Sequence, residues 1–151
     1  MKAPSAIATG VLMMTSPADA APTRPAVQHF PRSTLNGQPL PFSSAVRIGD
    51  ILYLSGQMGF RDDGTLAEGM EGQARQALEN IRGVLASAGL GFGDVFHCTV
   101  MLADMKQWAD FNKVYVEYFR DPLPARSAFG ANGLAMGGLV ELECQAYAGP
   151  R

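Results

Sequence analysis

Residues 139–148 (LVELECQAYA) alternate with a period of two. Val140, Leu142, Cys144 and Ala146 fall on one side, and Glu141, Glu143, Gln145 and Tyr147 on the other. A chain carrying such a strand must build a sheet with one apolar face covered and one face of a different kind. The cover is visible upstream. Over residues 71–88, Ala74, Ala77, Leu78, Ile81, Val84, Leu85 and Ala88 recur at helical spacing. Gln73, Arg75, Gln76, Glu79, Asn80 and Arg82 lie largely off that stripe, and Gly89 stands where a helix C-terminal cap belongs. A second helix is expected from Asp104, with Gln107 completing a relaxed capping box. Its apolar stripe is Trp108, Phe111, Tyr115, Tyr118 and Phe119, with Trp108 expected in the core. Asp121-Pro122 and Pro124 end it.

Three further strand signals surround these helices. Val46–Ser55 reads as a hairpin about Gly49-Asp50. Val95–Leu102 reads as a strand with Phe96, Cys98, Val100 and Leu102 on one face and Val95, His97, Thr99 and Met101 on the other. Arg126–Ala131 reads as a short strand, followed by a glycine-rich loop to Gly138. The order is ββ-α-β-α-ββ, an α+β arrangement. Right-handed crossovers would lay both helices on one face of the sheet. The other face, with His97, Thr99, Met101, Glu141, Glu143 and Tyr147, is mixed. It suits a subunit interface containing a polar pocket, or a half-wetted sheet face.

The N-terminal part has a different character. Met1-Lys2, the apolar run 6–14 and Ala18-Asp19-Ala20 have the layout of a secretory signal peptide cleaved after Ala20. That layout predicts a periplasmic or secreted protein. The alternative is translation from Met13 or Met14 and a cytoplasmic one. Residues 21–40 read as an extended proline-rich leader with a turn at Asn36-Gly37, and residues 41–151 as the folded domain.

Several functions are disfavoured by residue counts. With 12 basic and 14 acidic side chains the net charge is −2, which offers nucleic acid no footprint. No apolar run is long enough to span a membrane. The only histidines, His29 and His97, lack partners at triad or metal-ligand spacing. Gly89–Gly93 follows a helix and precedes a strand, the reverse of a phosphate-binding loop. Cys98 and Cys144 both sit on apolar strand parity and read as buried thiols, able to pair only if their strands are neighbours. What remains is Arg126 at a strand start, able to hold a carboxylate with two parallel hydrogen bonds. Glu141 and Glu143 lie about 6–7 Å apart along their strand. Either charge type could instead be structural: an arginine paired with a glutamate, and a solvated strand.

The motifs Pro41-Phe42-Ser43-Ser44-Ala45-Val46, Leu54-Ser55-Gly56-Gln57, 73–80 (QARQALEN), 111–115 (FNKVY), Pro124-Ala125-Arg126-Ser127 and Val140-Glu141-Leu142-Glu143 occur in this order. Together they resemble the RidA (YjgF) family of reactive-intermediate deaminases over about residues 40–148. The resemblance implies a chorismate-mutase-like subunit, usually trimeric, with active sites between subunits. It implies hydrolysis of 2-imino acids, or their enamine tautomers, to 2-oxo acids and ammonia, without metal or organic cofactor. By motif position, Arg126 would bind the substrate carboxylate and Glu141 would position the attacking water. Phe42, Ser55, Gly56, Asn112, Ser127 and Ala128 would line the substrate site. Phe42 stands where many family deaminases carry tyrosine, and Ala128 where cysteine or threonine is common. Residues 130–138 (GANGLAMGG) depart from the usual segment and are expected to reshape the cleft rim. The alternative implied by the lost hydroxyls is a binding protein that holds a small carboxylate in the same cleft without chemistry.

Overall fold

The computed structural model describes residues 24–150, so the expected signal peptide lies outside the described residues. The elements are β1 (Val27–His29), β2 (Thr34–Leu35), β3 (Gln38–Pro39), β4 (Ala45–Ile48), β5 (Ile51–Leu54), β6 (Gln57–Met58), α1 (Gly69–Ser87), β7 (Val95–Leu102), α2 (Trp108–Tyr118), β8 (Ala125–Gly130) and β9 (Val140–Tyr147). Seven strands form one sheet in the order β1-β4-β5-β9-β7-β8, with β6 also paired to β9. Among the described strands only β7 and β8 pair in parallel, joined by the crossover through α2. Both helices pack on one face, giving the two-layer α+β architecture anticipated from the element order.

The expected turns form for local reasons. Asn36 and Gly37, with φ of 52° and 72°, close the β2–β3 hairpin in the left-handed region that this pair tolerates. Gly49-Asp50 joins β4 to β5. Within the proline-rich stretch, β1 adds to the outer edge of β4 through Val27↔Ile48 to His29↔Val46. The second helix begins later than Asp104. Asp104 caps a 3-10 turn over Met105–Gln107 by accepting from the Lys106 backbone N–H at 2.9 Å, and Gln107 makes no side-chain cap.

The core lies between helices and sheet. On β9 the buried side chains are Val140, Leu142, Cys144 and Ala146, as the alternation requires. They meet Leu78, Ile81 and Leu85 of α1 and Phe111 and Val114 of α2 within one apolar cluster. Three sequence expectations need correction. A bulge between Val95 and His97 leaves Phe96 as the extra residue, so Val95 is buried and Phe96 is 41% exposed, the reverse of simple alternation. Gln73 is buried, because its Oε1 accepts from the Leu139 backbone N–H at 2.8 Å and anchors the start of β9. Trp108 is 43% exposed instead of core, for a reason given by the site.

Cys98 and Cys144 are direct partners across β7 and β9 and are joined by a disulfide. Their buried placement agrees with strand parity, but they are not free thiols.

Candidate active site

The β5 and β6 strands pair in succession with the same strand. Ile51–Tyr53 face Tyr147–Gln145, and Gln57–Met58 face Leu142–Glu141. Ser55 and Gly56 occupy the break between them. The Ser55 hydroxyl donates to the Ser43 carbonyl at 2.7 Å, and its backbone N–H donates to Ser44 O at 3.0 Å. Those bonds hold the Phe42–Ser44 segment against the break. Glu141 folds its carboxyl over Gly56. A Cβ at Gly56 would lie 2.9 Å from Glu141 Cδ and nearer still to Oε1, so a side chain there would evict the carboxylate.

Glu141 is half-buried and has no hydrogen-bond or ion-pair partner among the described residues. Burial, and then the neighbouring charge of Glu143, push its pKa above the ordinary glutamate range. Phe42, Gly56, Met58 and Glu141 line a cleft of about 930 Å³, which the unusual loop enters through Ala135 and Met136.

Arg126 lies elsewhere. Its register partner is Cys98, which is partnered in turn by Cys144, so Arg126 shares the helix-covered face. Glu141, opposite Met101, points to the other face. The guanidinium carbon of Arg126 stands 4.5 Å from the Tyr115 ring centroid, 5.7 Å from Phe111 and 5.8 Å from Trp108. This three-sided aromatic cage, rather than a carboxylate, holds the charge. Among the described residues Arg126 has no ion pair, which removes the reading in which it simply neutralises a glutamate. Trp108, 43% exposed, lies near the Arg126 guanidinium and borders this cage instead of joining the core.

Two polar atoms beside the cage are buried and without a partner among the described residues: Asn112 Oδ1 and the Tyr115 hydroxyl. Asn112 is four residues after Trp108 and three before Tyr115, on the same side of α2. Burial pushes the Tyr115 phenol up to about 12, with the Arg126 charge opposing. Ala128 follows Arg126 on the same side of β8, while Ser127, opposite Thr99, points to the other face.

The sequence-derived residues thus fall into two clusters. One is Phe42, Ser55, Gly56 and Glu141; the other is Arg126, Asn112 and Ala128. A single subunit does not bring the clusters together, and Ser127 sits on the opposite side of β8 from Arg126. The cage function of Trp108 and Tyr115 was not read from the sequence, although spacings of three, four and seven residues along α2 from Trp108 were its visible trace. Among the described residues no three His, Cys, Asp or Glu side chains gather as a metal site requires.

Comparison with known proteins matches the same span. The family model described as Endoribonuclease L-PSP covers residues 37–148. A mouse protein named 2-iminobutanoate/2-iminopropanoate deaminase is 40% identical over 112 residues, which are 73% of this chain and 83% of the mouse protein. A human protein of the same name is 38% identical over 112 residues, covering 73% and 82%. A crystal structure of RidA from an Antarctic Psychrobacter superimposes with a TM-score of 0.71 at 36% identity, covering 79% of this chain and 94% of that one.

Proposed function

This chain belongs to the RidA (YjgF) family, and from that premise we propose that it hydrolyses 2-imino acids, or their enamine tautomers, to 2-oxo acids and ammonia. The observation that carries the reading is the Glu141 carboxylate, half-buried, unpartnered among the described residues and packed over a side-chain-free Gly56 in a cleft of about 930 Å³. The names of the mouse and human relatives support it. Because Arg126 and Glu141 occupy opposite faces of one sheet, we assign the working site to a junction between copies, Arg126 from one and Glu141 from the next. A homotrimer, the family's usual assembly, would supply such junctions.

The chemistry needs little beyond orientation and proton handling. Arg126 binds the substrate carboxylate, with Asn112 and Ala128 on its side of the sheet, while Ser127 faces away from it. Glu141 holds a water against C2 of the protonated imine. The water oxygen bonds to C2 while the C=N pair moves to nitrogen, and Glu141 takes the water proton. Glu141 returns that proton to nitrogen, the C–N bond breaks, and the remaining hydroxyl passes its proton to the departing ammonia, giving the 2-oxo acid and ammonium.

The test is an amino-acid oxidase that makes imines in place, with semicarbazide trapping what is not hydrolysed. Reduced trapping by the wild type and not by Arg126→Ala is the expected result. Ligand-induced thermal stabilisation without product, across small, branched and aromatic imines, would favour the binding-protein reading. We also assign the chain to an oxidising compartment. The Cys98–Cys144 disulfide supports the export reading of residues 1–20. N-terminal sequencing of the protein from its native cell tests this, with Ala21 expected first.

A further inference from the structure

The cleft that holds Glu141 is much larger than a two- or three-carbon imine needs. At about 930 Å³ it lies at the upper end of the range that encloses drug-sized ligands. Leading away from Glu141, its apolar wall is made by Phe42, Met58, Met136, Leu35, Leu40 and Phe60. Three features show that this wall is built by the local sequence. Met136 is 62% exposed and held at φ 54°, a left-handed conformation a methionine rarely adopts, between Gly133 and Gly137 at φ 87° and 77°. Met58 lays its methyl against Gly138, where any Cβ would collide with it. Phe42 is 44% exposed and presents a ring without a hydroxyl beside Gly56 and Glu141.

Two polar side chains next to this wall are already engaged. Asn80 donates to the carbonyls of Met58 and Phe60, each at 2.9 Å, and Arg61 donates to Leu66 O at 3.0 Å. Asn80 and Arg61 spend these donors on backbone carbonyls, and the charged Arg32 and Asp62 line the same cleft. Two thioethers and a phenyl ring make a soft wall that adapts to elongated apolar shapes.

We propose that this wall is a side-chain subsite, and that it selects imines of large apolar amino acids, of the leucine, methionine and phenylalanine type, over 2-iminopropanoate. The inference rests on the imine-hydrolysis reading of the same site. Burying several additional methylene or ring carbons against such a wall discriminates by roughly 10–200-fold for even one methylene in a well-fitted pocket. A ratio of at least about tenfold in kcat/KM is the expected floor.

The experiment measures kcat/KM for imines made in place from leucine, methionine, phenylalanine and alanine, on the wild type and on Met136→Ala and Met136→Glu. The readout is the ratio of each bulky imine to the alanine-derived one within each variant, so a partly unfolded preparation does not change it. A wild-type ratio above about tenfold, compressed in Met136→Ala and further in Met136→Glu, is the expected outcome. Hydrolysis of all four imines at similar efficiency, or a ratio untouched by both variants, would overturn the subsite and leave the deaminase intact. Hydrolysis of none would overturn the deaminase reading and the subsite with it.

Discussion

The guanidinium of Arg126 is packed on the ring of Tyr115, its carbon 4.5 Å from the ring centroid, and among the described residues no acid shares that contact. An arginine held by a carboxylate has its charge largely neutralised. One held by ring faces keeps its charge and its five donors for an incoming anion. The cage also fixes the planar group, so less side-chain entropy is lost when a carboxylate arrives.

Arg126→Ala is therefore expected to lower kcat/KM by about 10²–10³-fold, the loss of a charge-assisted pair worth about 3–4 kcal/mol in all. Arg126→Lys should recover little, because an ammonium cannot make two parallel bonds to one carboxylate. Competition with semicarbazide measures the loss, and size-exclusion chromatography checks the assembly. A variant that dissociates shows a structural role instead.

Tyr115 contributes a ring to this cage, and its hydroxyl has no partner among the described residues. Removing an unsatisfied buried hydroxyl relieves a desolvation cost. Tyr115→Phe should raise stability by about 1 kcal/mol in chemical denaturation and retain arginine binding through the phenyl face. Tyr115→Leu removes the cation–ring contact and should raise KM for carboxylate substrates severalfold. A destabilised Tyr115→Phe would show that the assembled protein or a bound water gives the hydroxyl a partner.

Much of the fold was legible because single periodicities fixed it: the β9 alternation, the α1 stripe and the Asn36-Gly37 and Gly49-Asp50 turns all form as read. The failures come from features that periodicity does not encode. One inserted residue at Phe96 reverses strand parity. Gln73 is buried by a hydrogen bond to a backbone 66 positions away. Trp108 belongs to an apolar stripe by spacing, yet its partner is an arginine from β8. The β9 alternation put Glu141 on the uncovered face, but that Arg126 lies on the opposite one follows only from the registers of β7 with β8 and β9, which no local pattern supplies. Motif resemblance named both residues, but not the faces they occupy.

The same register places Cys98 opposite Cys144 and closes a loop with a sequence separation of 46. Cross-linking restricts the unfolded chain, so the double variant Cys98→Ser/Cys144→Ser is expected to lose about 2–4 kcal/mol in urea unfolding. The native protein should show no thiol to alkylating reagent under denaturing, non-reducing conditions and two after reduction. Alkylation of both cysteines before reduction would mean that the pair is not closed in the isolated protein.

Gly56 leaves room for the Glu141 carboxyl, so its substitution tests the site without touching a reacting group. In Gly56→Ala the new methyl occupies the position of Oε1 and turns the carboxylate away. A displacement of that size is expected to lower kcat by roughly a hundredfold. Circular dichroism should be unchanged, since the backbone there is not in a glycine-only conformation. Full activity in Gly56→Ala would place the water-activating group elsewhere.

Glu141 should make activity and stability respond to pH in opposite senses. Its folded-state pKa is raised, first by burial and then by Glu143. As base, it works only when ionised, so kcat/KM should fall with falling pH along a limb above the usual glutamate value of about 4.3. The stability sign is the reverse. The folded state holds this proton more tightly than the unfolded chain, so the contribution is full below about 4.3 and is lost as pH rises through the raised value. Glu141→Gln is therefore expected to be inactive yet more stable than the wild type at neutral pH, with the difference closing on acidification. Glu143→Gln separates the two causes. It removes the smaller, electrostatic one, so the acid limb should move down while staying above the ordinary range. A limb that returns fully to that range in Glu143→Gln would make charge repulsion, and not burial, the main cause.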